Sequence, residues 1–326
     1  MFLKHKRAIA MLTVVIMMSV FLTCFCGHVL AETWEGPFKY KITGGEAQIN
    51  AYYASNSDEG IDLVIPQSLG GFPVTSIAEE TFLLRRGTIK SINIPMGVKE
   101  LGSPSGLCAL EEINIPDDVT QINDHCFLGC SRLPNIKIPN SVNRIGEGAF
   151  MGCTALWGIL GGEGITSISN NAFYGCTSLC FFQIPKGVTT IGDETFANCT
   201  SMRSITIPKG ITSIGKEAFY VSGLDTIIFE SPSTVIYDST DTIPEYTTII
   251  GYPSSTAEDY AKKYNRTFQD ISLIGDKKES STPNPMIITI ILLGLICLGL
   301  SIKLARVTKQ NKELLNSNTA RGFEIS

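Results

Sequence analysis

The chain has 326 residues, is 44% hydrophobic and carries 26 Lys+Arg against 31 Asp+Glu, a net charge of −5. Length and composition fit a globular protein of one large or two ordinary domains. From Glu32 to Met286 the balance is 18 basic against 29 acidic residues, a net charge of −11, which argues against nucleic acid as a partner.

The chain opens with Lys4, Lys6 and Arg7, then an apolar run from Ala8 to Cys26, then Val29-Leu30-Ala31. That order predicts a secretory signal peptide over residues 1–31, cut after Ala31, with an uncleaved membrane anchor as the alternative. Phe21-Leu22-Thr23 before Cys24 is a poor match to a lipid-attachment site.

From about residue 61 the sequence repeats. Phe127, Phe150, Phe173, Phe196 and Phe219 follow one another at intervals of 23. Ile122, Ile145, Ile168, Ile191 and Ile214 keep the same interval, as do Leu133, Leu156, Leu179 and Met202. Pro116, Pro139, Pro185 and Pro208 share one phase, with Gly162 in the missing slot. A fixed period of this size predicts a solenoid. One unit cannot bury its apolar side chains alone, so equivalent residues stack into columns against the coils above and below. Leu133-x-x-Ile136-x-Ile138 has leucine-rich repeat strand spacing, with alternate residues pointing in and out. Pro139 ends that strand, since it cannot donate to a ladder. Val142 to Ile145 is expected to be a second extended piece, and "GEGAF" (Gly146 to Phe150) one helical turn.

The recurring pattern I-P-x-x-V-T-x-I-G-x-x-A-F-x-G-C-x-x-L resembles the BspA-type leucine-rich repeat over about half the chain. The resemblance extends to "DLVIPQSLGGFPVTSIAEETF" as a first unit and to "TIPEYTTIIGYPSSTAEDYAKKYNRTFQDI" as a C-terminal cap. It implies a β-rich solenoid over residues 61–230, N-terminal cap strands over 32–60 and a cap over 231–275. In that cap Ser255 or Thr256 should start a short helix and "TFQDI" a closing strand, covering the last open core layer. The family also implies an extracellular or surface protein, often bacterial, used in adhesion or ligand binding.

Beyond the repeats, residues 276–285 ("DKKESSTPNP") read as a polar stalk. Met286 to Ile302 holds no charge and is expected to cross a bilayer as one helix, residues 286–302. Lys303, Arg306, Lys309 and Lys312 follow, which places the tail (303–326) in the cytoplasm and the repeats outside.

Chemistry-bearing residues are sparse. Cys130, Cys153, Cys176 and Cys199 recur at 23 and are expected as buried, unbonded column residues rather than disulfides or zinc ligands. His125 alone remains after signal cleavage, in a turn beside Asp124, and no catalytic set can be assembled around it. Asp117-Asp118, Glu111-Glu112 and Asp193-Glu194 read as solvent-facing turns and strand surfaces. Neither an enzyme nor a cofactor or metal is expected.

The outward strand positions are mostly polar, with one exception. Trp157 and Leu160 in one unit, and Cys180 and Phe181 in the next, depart together. Strands stack about 4.8 Å apart, so these side chains should adjoin. The candidate ligand-binding site is therefore Trp157, Leu160 and Phe181, rimmed by Lys137, Gln183 and Arg203. The alternative is a slipped strand register in which Trp157 fills space left by Gly158. The expected function is a membrane-anchored surface module binding an extracellular protein or glycan, or else a structural spacer of the cell envelope.

Overall fold

A computed structural model describes residues 32–53, 60–82 and 88–275. The expected signal peptide, stalk, membrane helix and tail lie outside these residues. No helix among the described residues is long and apolar enough to cross a membrane. The chain divides into two units, Met1–Ile271 and Ser272–Ser326.

The first unit begins with three antiparallel strands, β1 (Thr33–Glu35), β2 (Phe38–Thr43) and β3 (Glu46–Tyr52). Phe38, Tyr40 and Ile42 alternate inward on β2, as do Ala47 and Ile49 on β3. After β4 (Ile61–Val64) and β5 (Ser68–Leu69), β6 (Phe72–Ile77) pairs parallel with β3, which joins this sheet to the start of the coil.

From β4 onward the coils, that of Phe181 excepted, contribute strands to one face: β7 (Ile89–Asn93), β8 (Glu112–Ile113), β10 (Asn135–Ile138), β12 (Gly158–Gly161), β15 (Ser204–Ile207), β17 (Thr226–Phe229), β19 (Thr248–Gly251) and β20 (Phe268–Asp270). These form three parallel ladders, β4-β7-β8, β10-β12 and β15-β17-β19-β20. A second face is an unbroken parallel sheet of two-residue strands, β9 (Gln121–Ile122), β11 (Arg144–Ile145), β13 (Ser167–Ile168), β14 (Thr190–Ile191), β16 (Ser213–Ile214) and β18 (Val235–Ile236). Ile122, Ile145, Ile168, Ile191 and Ile214 pair in register along it and point into the core.

The third side is a ladder of turns, and here the expected helical turn is absent. Gly146 to Phe150 makes tight turns, with Ala149 N–H donating to Gly146 C=O at 3.3 Å. The physical reason is competition for donors. Gly148 N–H bonds Asn170 C=O at 3.0 Å and Phe150 N–H bonds Ala172 C=O at 2.8 Å, one coil on. Donors spent between coils are not available for a helix within one.

The core is the set of columns. Phe127, Phe150, Phe173, Phe196 and Phe219 are fully buried and stack ring on ring at 5.2, 5.4, 5.5 and 5.7 Å, with planes within 8° of parallel. Leu133, Leu156, Leu179 and Met202 are equally buried, and so are the thiols of Cys130, Cys153, Cys176 and Cys199, which form no disulfide. Near the end, Ser255 caps α1 (Thr256–Lys263), its hydroxyl accepting from Glu258 N–H. Ala257, Tyr260 and Ala261 turn inward from α1, and β20 closes the first face beside β19. A five-residue helix α2 (Ile271–Gly275) ends the described chain.

Candidate functional site

The first face carries the candidate residues, and its pairing fixes their positions. Asn135 pairs with Gly158 and Lys137 with Leu160. Gly158 bridges to Phe181 in the same parallel sense. Pairing therefore keeps register from Asn135 through Gly158 to Phe181, although Gly158 is buried, Asn135 half-buried and Phe181 exposed. Trp157 lies just before β12. Its N–H donates to Pro134 C=O at 2.9 Å, and its own C=O accepts from Cys180 N–H at 3.2 Å and Phe181 N–H at 3.3 Å.

Side-chain exposure differs along the patch. Phe181 is 51% exposed. Trp157 and Leu160 are half-buried. Lys137, Gln183 and Arg203 are exposed. Phe181 thus stands openly on the face, with Leu160 beside Lys137 one coil away.

Two local features set this coil apart. Phe182 occupies the inward slot that Ile136 and Ile205 fill elsewhere, and its ring wedges against Phe173 at 4.9 Å and Phe196 at 5.2 Å. At this coil the first face keeps no strand, and β12 is joined to it by the isolated Gly158–Phe181 bridge. One coil earlier, Gly161 and Gly162 take φ of 74° and 77° where other coils have an inward isoleucine and a proline. A Cβ on Gly161 would lie 2.6 Å from Ile138 C=O, so only glycine lets the chain pass there.

Elsewhere polar groups are spent on the coil. Asp124 Oδ1 accepts from Glu147 N–H at 2.8 Å and from Arg144 at 2.7 Å. Partial burial opposes ionisation of this carboxyl, but those two donors hold it below the usual range. Asn170 and Asp193 repeat the arrangement toward Asp193 N–H and Lys216 N–H. His125 is an exposed turn residue at φ 54°. Near the N-terminal sheet a cleft of ≈ 630 Å³ is lined by Glu32, Glu79, Glu80, Glu100, Lys39 and Asn50 among others. Among the described residues no group of three or more His, Cys, Asp or Glu is placed to hold a metal.

The coil geometry and the sequence pattern agree with a known repeat. A family model described as BspA type leucine rich repeat region matches in six copies, over residues 47–179, 105–223 and 166–250. The chain belongs to the BspA-type leucine-rich repeat family. The solved structure of a T. pallidum leucine-rich repeat protein is similar over 73% of this chain and 98% of its own, at 20% identity and a TM-score of 0.50. A Bacteroides ovatus leucine-rich repeat protein aligns over 69% of this chain and 74% of its own, at 20% identity and a TM-score of 0.42. A leucine rich cell surface protein of Faecalibacterium prausnitzii aligns over 74% and 95%, at 18% identity and a TM-score of 0.35. No curated protein matches. At 20% identity the likeness to the T. pallidum protein speaks to fold alone. Within the BspA-type pattern, sequence reasoning missed Phe182 as a ring packed between Phe173 and Phe196 in the isoleucine slot. The signal was present: Phe182 takes the phase of Ile136 and Ile205.

Proposed function

We propose that this chain is a non-catalytic recognition module held at the cell surface, binding an extracellular protein or glycan through the first face of its coil. The observation that carries the reading is Phe181, half exposed on a face whose other outward residues are mainly polar, next to Trp157 and Leu160. An apolar patch in a polar surround is the usual mark of a contact site, and aromatic residues lead among binding hot spots. Lys137, Gln183 and Arg203 supply the polar rim. A pure spacer gains nothing from an exposed phenylalanine, so the spacer reading is the weaker.

The test is a protein and glycan array probed with the tagged protein in detergent, followed by affinity measurement on any hit. Trp157→Ala with Phe181→Ala should weaken binding at least tenfold, about 1.4 kcal/mol, while the melting temperature holds. Unchanged affinity returns the patch to structural duty. The anchoring half of the reading, a helix over 286–302, is tested separately. Protease added to intact cells should remove the repeats and spare a C-terminal tag; loss of the tag overturns the orientation.

A further inference from the structure

Of the two left-handed backbone positions in each of these coils, the second is mostly glycine. Gly129, Gly152 and Gly175 hold it at φ of 72°, 73° and 70°, and Asn198 at 60°. The next coil puts Val221 there, at φ 51°. Glycine and asparagine enter this region readily, whereas a β-branched residue in it is an outlier. Such strain persists only where its surroundings impose it, and it collects at binding sites. Packing does not explain Val221: it is 48% exposed, beside Tyr220 at 42%.

The following segment lies across this turn. Phe219 N–H donates to Thr242 C=O at 3.1 Å, and Thr247 Oγ1 donates to Leu224 C=O at 2.7 Å. Between those anchors sits Tyr246, 63% exposed, with its hydroxyl donating to Ser222 C=O. Pinning the hydroxyl fixes the ring and leaves it open to solvent. Two neighbouring coils thus present two tyrosines and a strained valine together.

Charge says what would cover them. From Glu217 to Ala261 the chain has eight acidic residues and no Lys, Arg or His. Asp241 and Glu245, which precede Thr242 and Tyr246, are exposed, and neither forms a salt bridge among the described residues. Open aromatic rings beside unpaired carboxylates attract cations, the ring through its quadrupole and the carboxylate through a charge-assisted hydrogen bond. We propose that Tyr220, Val221 and Tyr246, with Asp241 and Glu245, dock a lysine- or arginine-bearing segment of a partner protein. This surface is on the turn side of the coil and stands apart from the Trp157–Phe181 reading.

The probe is a fluorescein-labelled hexa-arginine peptide, titrated by anisotropy against the full chain in detergent. Tyr220→Ser with Tyr246→Ser should weaken binding at least fivefold, and so should Asp241→Asn with Glu245→Gln. Asp117→Asn with Asp118→Asn, which removes two carboxylates from a distant coil, should change it less than twofold. Val221→Gly decides between strain kept for binding and strain without use: it should raise the melting temperature and weaken binding at least twofold. Equal losses from the Asp117/Asp118 pair, or undiminished binding by the tyrosine variant, would overturn the proposal. A stabilised Val221→Gly protein with full affinity would remove Val221 from it.

Discussion

The Cys153 thiol donates to the Phe127 carbonyl at 3.0 Å, one coil and three residues back. Cys176 does the same to Phe150 at 3.1 Å and Cys199 to Phe173 at 3.3 Å. The thiol column is thus tied to the backbone of the phenylalanine column, which accounts for a small, weakly polar side chain at that slot. Cys153→Ala should leave a small cavity and a carbonyl without its partner, at a cost of about 1 kcal/mol in urea unfolding. Cys153→Leu should cost more, through overpacking. Mass spectrometry under non-reducing conditions should find Cys130, Cys153, Cys176 and Cys199 unlinked; a Cys153–Cys176 bridge would contradict the column.

Burial gives the same thiols a pH signature. It pushes Cys130 and Cys199 up to about 12 and raises Cys126, Cys153 and Cys176 as well. In the unfolded chain a thiol titrates near ~8.5. Above that value the unfolded state binds fewer protons than the native one, so stability falls as pH rises. The contribution is complete below about 8.5 and is lost through the window up to about 12, by up to ~1.4 kcal/mol per pH unit for each thiol. Melting temperatures should therefore drop between pH 8 and 10.5, and Cys176→Ala should flatten that slope. An identical slope in the variant would assign the loss to other groups.

Phe182 packs against Phe173 and Phe196 where the first face loses its strand, so its replacement tests whether the ring breaks the ladder there. Phe182→Ile restores the residue of the neighbouring coils. It should cost about 1–3 kcal/mol because the two rings lose their filler. It should also let Gln183 and Ile184 approach β12, seen as slower amide exchange at those residues. Faster exchange there would show that the wedge supports the strand rather than displacing it.

The sequence made the columns legible because a solenoid repeats its packing in space as it repeats in sequence. The phenylalanines, isoleucines and thiols could be stacked by counting alone, and of the two helix starts that the resemblance offered, Ser255 and Thr256, Ser255 is the cap. What counting could not supply is where repetition fails. "GEGAF" looks helical in isolation, and only the donors claimed by the next coil hold it as turns. Trp157 and Phe181 are both large and apolar, yet one is half-buried and the other open, a difference that spacing does not carry. Val221 falls in phase with Gly106, Gly129, Gly152 and Gly175, a sign that was readable but gains meaning only with its φ and exposure.

The last expectation concerns the glycine that follows the isoleucine column. Gly146, Gly192 and Gly215 each face an Asx side chain of the preceding coil. A Cβ would sit 2.4 Å from Asp124 Oδ1, 2.3 Å from Asn170 Oδ1 and 2.4 Å from Asp193 Oδ1. The coil with Ser169 in this slot has Glu147, not Asx, at the equivalent position of the preceding coil. Side chain and glycine therefore form a unit: the Asx caps the next coil's N–H, and the missing Cβ gives it room. The peptide nitrogen of Asp193 is also close, at 2.6 Å, so the crowding at Gly215 is only partly the carboxylate. Gly215→Ala should destabilise by about 1–3 kcal/mol, whereas Ser169→Ala should stay within about 0.5 kcal/mol. Asp193→Ala alone should cost about 1 kcal/mol for the lost bond to Lys216 N–H. In the double variant the costs should fall short of their sum by at least 0.5 kcal/mol, because one lesion has already cleared the other's space. Strict additivity in urea unfolding would show that Gly215 answers to the backbone alone.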